Sequence, residues 1–280
     1  IPMNKLAMST GPLPIIIDAD YHDLDGIIRA MQKLWKTGAV DGFELQNQAE
    51  WVAEARPRER AERRGPRWEV STKYTWEEIA VKLQRSGVPI TAIHANRDAG
   101  IYLCCESAAE VAFGRRLLDD SLRLTRAVQA PVLVIHLWNT FEKTLDLVFL
   151  RQTLTDSGAE FPDVLASVEN IPTSVVGSTP FQLVKEFPFI TLDLRWAGMY
   201  DELDLFESVK DRIVNVHLRG QLEGQEWVLN NSPFSLGEAL AKILKEWGYR
   251  GVLTMEAEGG LRDASWEDFV AATKTLRNWF

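Results

Sequence analysis

Cysteine is nearly absent from this chain: two in 280 residues, Cys104 and Cys105, side by side. Adjacent cysteines bridge each other poorly, so neither a disulfide framework nor a zinc finger is expected. The pair reads instead as buried packing beside a helix, in a reducing compartment. Long apolar runs are also missing. None approaches the ~18 residues that span a bilayer, and no signal peptide precedes the first candidate strand, so a cytoplasmic protein without membrane contact is expected. Positive charge is in deficit, with 31 Lys and Arg against 40 Asp and Glu. The resulting net charge of −9 argues against a surface that tracks phosphate backbones, and nucleic acid is not an expected partner. A glycine-rich turn after the first strand is lacking too. Ser9-Thr10-Gly11-Pro12 stands where an open doubly wound sheet would carry one.

What is present is a regular alternation of short apolar runs and helix-period segments. Eight runs read as strands: Lys5–Ser9, Gly42–Gln46, Ile90–Ala95, Val132–Leu137, Leu165–Ile171, Phe189–Leu194, Ile213–Leu218 and Val252–Ala257. They are rich in Val, Ile and Leu, as parallel strands covered on both faces must be. The segments between them carry helix signals. Thr75-Trp76-Glu77-Glu78 and Ser235-Leu236-Gly237-Glu238 are capping boxes, Gly87 and Gly248 are stops, and Ser265 caps a last helix. Residues between Glu106 and Val128 form a longer helical segment, with Leu117, Leu118, Leu122 and Leu124 on its apolar side. The expected architecture is α/β, a single (β/α)8 TIM barrel over residues 1–280. Loop insertions are expected at 47–74 and 221–233, on the carboxyl face of the strands.

The scarce polar residues fall in telling places. Three of four histidines, His94, His136 and His217, sit near strand ends, and so do Glu44, Glu169, Asp193 and Glu256. Burying such groups at the end of an apolar strand is costly unless something compensates. In a parallel barrel these positions converge on the one face that bears active sites, and a metal ion is the simplest shared partner for them.

Four segments in this order, Val168-Glu169-Asn170-Ile171-Pro172, Thr191-Leu192-Asp193, Val216-His217-Leu218 and Thr254-Met255-Glu256, resemble the xylose-isomerase-like barrel family. That family contains sugar epimerases and isomerases, inosose dehydratase and abasic-site endonucleases of the endonuclease IV type. Gly42-Phe43-Glu44-Leu45 and Trp247-Gly248-Tyr249-Arg250-Gly251 support the likeness, which runs over nearly the whole chain. The resemblance implies a divalent ion (Mn, Co, Zn or Mg) on Glu169, Asp193, His217 and Glu256. It matches His94 and His136 to a second metal site or to substrate contacts.

Two departures stand beside these matches. Where the family's epimerases carry a histidine three residues after the sixth-strand aspartate, this chain has Trp196. Where they carry an arginine beyond the seventh-strand histidine, it has Glu223, and Arg219 is the nearest arginine. The endonucleases' third metal needs that same histidine and an Asp-x-His element, and Gln221–Pro233 contains no histidine.

The expected activity is proton transfer beside a metal-bound carbonyl of a sugar or polyol, with Glu169 and Glu256 as acid and base. Glu44, Trp138, Trp196 and Arg219 are the expected substrate contacts, with Trp227 as a further aromatic face. The alternatives are an endonuclease IV-like two-metal phosphodiester hydrolase and a barrel that binds a ligand without turnover. Arg56, Arg58, Arg60, Arg63, Arg64 and Arg67 favour the hydrolase, but interleaved glutamates leave that stretch close to neutral, which suits a solvated, ion-paired face. Self-association stays open.

Overall fold

The computed structural model describes residues 4–20, 23–47 and 73–280. Its strands are β1 (Lys5–Ser9), β2 (Gly42–Gln46), β3 (Ile90–His94), β4 (Val132–Ile135), β5 (Leu165–Glu169), β6 (Ile190–Asp193), β7 (Ile213–Glu223), β8 (Glu226–Val228) and β9 (Val252–Gly259). From β1 to β7 each strand pairs in parallel with the next, β7 pairs with β9, and β9 returns to β1. Eight parallel strands thus close into a barrel with helices around it, the architecture expected from the apolar runs.

The helices begin and end where their signals stand. The hydroxyls of Thr75 and Ser235 accept from the backbone N–H groups of Glu78 and Glu238, and both glutamates answer to complete their capping boxes. Gly87 closes the helix Trp76–Ser86 at φ 71°, a left-handed conformation that costs glycine little. On the long helix Ala108–Ala127, Leu118, Leu122 and Leu124 are buried, while Leu117 is only half-buried. Two short helices, Leu13–Ile16 and Asp98–Leu103, had no sequence signal of their own.

Two expectations change. The segment 221–233, expected as a loop insertion, is in part a hairpin: β7 runs on to Glu223, turns at Gly224 (φ 59°) and returns antiparallel as β8. The cysteines are half-buried rather than buried, and both are free thiols. Residues 48–72, which hold most of the other expected insertion and its arginines, lie outside the described residues.

One face of each strand packs outward against the helices and the other lines the barrel. Ala92, Val132 and Val134 form a small apolar cluster apart from the main core; they share a face with His94, to which Val134 is registered. Above them along the strands the lining turns polar: Ser167 and Glu169 on β5, Thr191 and Asp193 on β6, Thr254 and Glu256 on β9. No helix among the described residues is long and apolar enough to cross a membrane.

Candidate active site

Strand β7 supplies an inward row at period two, Asn215, His217 and Arg219, and every other group of the site is arranged around it. His217 is wholly buried. Its Nε2 lies 3.0 Å from Glu44 Oε1 and 3.1 Å from Glu44 Oε2. On its other side Nδ1 faces Glu256 Oε2 at 3.2 Å, Glu169 Oε2 at 3.4 Å and Asp193 Oδ2 at 3.9 Å. Glu169 gathers the other two imidazoles on the same Oε2, with His136 Nε2 at 3.0 Å and His94 Nε2 at 3.4 Å. The structure therefore brings together all seven expected strand-end residues.

Supporting contacts fix these side chains. Asn215 donates to Glu44 Oε2 at 2.9 Å and accepts from Thr254 Oγ1 at 3.0 Å. Asp193 caps the short helix Leu194–Met199, its Oδ1 accepting from the backbone N–H groups of Arg195 at 2.8 Å and Trp196 at 3.3 Å. His94 Nδ1 sits 3.1 Å from the carbonyl of Ala95, which directs Nε2 at Glu169. His136 is held from behind by Gly100. A Cβ at that glycine would lie 2.1 Å from the His136 carbonyl oxygen, so the Asp98–Leu103 helix reaches the backbone after β4 only because position 100 has no side chain.

Arg219 sits among the carboxylates. Its Nε is 2.6 Å from Asp193 Oδ2, Nη1 is 3.0 Å from Glu256 Oε1, and Nη2 is 3.9 Å from Glu169 Oε1. The side chain is 13% exposed. Glu256 Oε1 also accepts from Gln46 Nε2 at 3.0 Å, and Glu258 lies 3.9 Å from Arg219 Nη1 while pairing with Arg195.

Charge perturbation follows from this crowding. Burial works against a charged His217, but Glu44 and Glu169 beside it hold its pKa well above the ordinary imidazole value. Burial likewise opposes an ionised Glu169, yet His136 and His217 keep that carboxyl well below its usual range. Burial raises the Asp193 carboxyl to about 7, with Arg219 pulling it back towards the anion. Arg219 itself stays a fixed cation, since Asp193, Glu256 and Glu169 outweigh the cost of its burial.

Two triads could hold a cation: His94, His136 and Glu169, and Glu169, Asp193 and His217. In favour of an ion at the second, Glu169 Oε1, Glu256 Oε2 and His217 Nδ1 are buried without a hydrogen-bond partner. Against it stands Arg219, whose guanidinium is on Asp193 Oδ2, the oxygen that faces His217. An ion at ~2.1 Å from that oxygen would lie within about 5 Å of the guanidinium, a repulsion of roughly 7 kcal/mol at an effective dielectric of ~20. The four-residue set implied by the resemblance therefore does not fit a divalent ion while Arg219 holds this position.

Several expected contacts change role. Glu44, expected as a substrate contact, is wholly buried with its carboxylate facing His217 Nε2 and Asn215 Nδ2. Trp138 is 1% exposed, donates its indole N–H to the Ile171 carbonyl at 3.3 Å and packs on Phe187, which removes it as a sugar platform. Trp227 packs on Phe269 in the core beneath the hairpin. Trp196 is half-buried, with the Arg195 guanidinium over its ring at 4.7 Å. Glu223 ends β7 in the exposed hairpin, away from Arg219. Gln46 and Asn215 were not anticipated. Each lies two residues from an expected site residue on the same strand, so the alternation rule would have found them.

No protein-family profile matches the chain, and no curated protein does. Solved structures match end to end. D-allulose 3-epimerase from Methylomonas sp. is 15% identical over 100% of this chain and 99% of its own, with a TM-score of 0.65. D-psicose 3-epimerase from Clostridium cellulolyticum is 12% identical, covering 98% and 97%, with a TM-score of 0.61. The chain has the fold of the sugar-epimerase barrels. A 3-keto-D-glucoside 4-epimerase from E. coli shares it as well, 14% identical with a TM-score of 0.59 over 99% and 98% of the two chains. At such identities the likeness speaks for the fold, and the chemistry has to be argued from the side chains.

Proposed function

We propose that this barrel is a sugar isomerase or epimerase, moving a proton at a carbon beside the carbonyl of a ketose or related polyol. The observation that carries the reading is a pair of carboxylates, Glu169 and Glu256, facing one cationic group. His217 Nδ1 lies 3.4 Å from Glu169 Oε2 and 3.2 Å from Glu256 Oε2, and Glu169 Oε1 is left without a hydrogen bond. Such a pair can take a proton from one face of a carbon and return one to the other. Glu169, held ionised by its imidazoles, is the group that starts as base. Negative charge developing on the substrate oxygen would meet Arg219 and His217, cations that are already fixed in place and need no reorganisation. Matching structures are sugar 3-epimerases, one of them in complex with D-allulose, which supports this substrate class. Glu256 and Glu258 beside Gly259-Gly260 make the last strand end a poor phosphate cradle, which favours uncharged sugars.

The test is deuterium exchange. Purified protein incubated with a panel of ketoses in deuterated water, with and without added Mn²⁺, should place deuterium on the carbon next to the carbonyl of at least one of them. If no ketose takes up label under either condition, the epimerase reading is lost. The His94–His136–Glu169 triad supports a second reading, metal-assisted phosphodiester hydrolysis. Cleavage of an abasic-site duplex that depends on added metal would favour it.

A further inference from the structure

The carboxylate centre already contains a positive charge of its own. We propose that the Arg219 guanidinium is the built-in cation of the Glu169–Asp193–Glu256 centre and keeps a divalent ion out of it. Three observations converge. The period of β7 sends residue 219 to the same side as Asn215 and His217, so its side chain starts out on the barrel-mouth side by register. It is nearly buried, and its contacts run to four different carboxylates, Glu169, Asp193, Glu256 and Glu258, at 2.6 to 3.9 Å. Finally, the oxygen it holds most closely, Asp193 Oδ2, is the one that an ion shared with His217 would need.

The charge balance agrees. An arginine cannot shed its proton to make room, so a divalent ion could enter only if the whole side chain left. Leaving would take a guanidinium from four acceptors and break its ion pairs with Asp193 and Glu256. Arg219 holds Asp193 of the Glu169–Asp193–His217 triad and meets the other triad at Glu169 Oε1, 3.9 Å away, so among the described residues the cation site left open is His94, His136 and Glu169. Occupancy of the centre by Arg219 is independent of the sugar reading, and Mn²⁺ alone reads it.

The experiment uses Mn²⁺ as probe. Protein stripped with chelator is crystallised, soaked in Mn²⁺ and mapped by anomalous scattering, for the natural chain, for Arg219→Ala and for Arg219→Gln. Calorimetric titration with Mn²⁺ in solution accompanies the maps. The natural chain should show no Mn²⁺ peak bonded to Asp193 and Glu256. Either variant should gain that peak and bind Mn²⁺ there at least about 100-fold more tightly, and its thermal midpoint, lowered by the substitution, should recover with the ion. A peak on Asp193 and Glu256 in the natural chain, with Arg219 displaced, overturns the proposal. So does equal Mn²⁺ binding at that position before and after substitution. If neither variant folds, the map of the natural chain decides alone, by the same peak. A peak confined to His94, His136 and Glu169 leaves Arg219 in place and supports it.

Discussion

Glu169→Gln tests the electrostatic centre most directly, because the exchange removes a charge and almost no volume. In the native site one Glu169 oxygen serves His136 at 3.0 Å, His94 at 3.4 Å and His217 at 3.4 Å, and the side chain is wholly buried. Taking one partner out of a buried ion pair costs about 3–5 kcal/mol, since the remaining charge stays desolvated. With about 2–4 °C of melting shift per kcal/mol for a chain of this order of size, the variant should melt about 6–20 °C lower, measured by scanning calorimetry in chelator-containing buffer. The loss should depend on pH with a definite sign. His217 has a folded pKa well above its unfolded value, and Glu169 is one of the two carboxylates that raise it. The stability from this shift is fully present below ~6.5 and is lost as pH rises through the folded value. The gap between native chain and variant should therefore be wider at about pH 6 than at about pH 9. A melting shift of less than about 2 °C, or a gap that widens with pH, would refute the picture of Glu169 as the shared counter-ion.

Other expectations are simpler. Gly100→Ala should destabilise by roughly 1–3 kcal/mol in urea denaturation and disturb His136, because its Cβ meets the His136 carbonyl at 2.1 Å; an unchanged midpoint would show that the helix can shift freely. Asn215→Leu should cost about 2–4 kcal/mol, since it leaves Glu44 and Thr254 without the partners they have at 2.9 and 3.0 Å. Burial pushes the Cys104 and Cys105 thiols up to about 11. Both should react slowly with a disulfide reagent near neutrality and faster by up to about tenfold per pH unit towards that value; rapid reaction at about pH 7.5 would contradict this.

The strands were legible because parallel strands covered on both faces must be largely apolar runs, and this chain sets its acidic and imidazole side chains towards their carboxyl ends. For that reason β1 and β2 appear with the expected bounds, and His94, Glu169, Asp193, His217 and Glu256 stand out in the sequence as polar residues on apolar strands. Two of the three expected aromatic contacts, Trp138 and Trp227, are buried instead, for an equally physical reason. A tryptophan beside a strand end has no sequence mark that separates a ligand platform from a core plug, and Trp138 and Trp227 are core.

The sequence by itself determined the repeated βα pattern, the closing helix caps and the row of polar strand ends, all of which are written in local periodicity. Only the tertiary structure decided who pairs with whom. Glu44 reaches His217 across 173 residues of chain, and Asp193 meets Arg219 instead of standing free. Those partnerships depend on the angle and register at which the barrel closes, and no local pattern encodes them. They decide whether the centre holds a metal ion or an arginine.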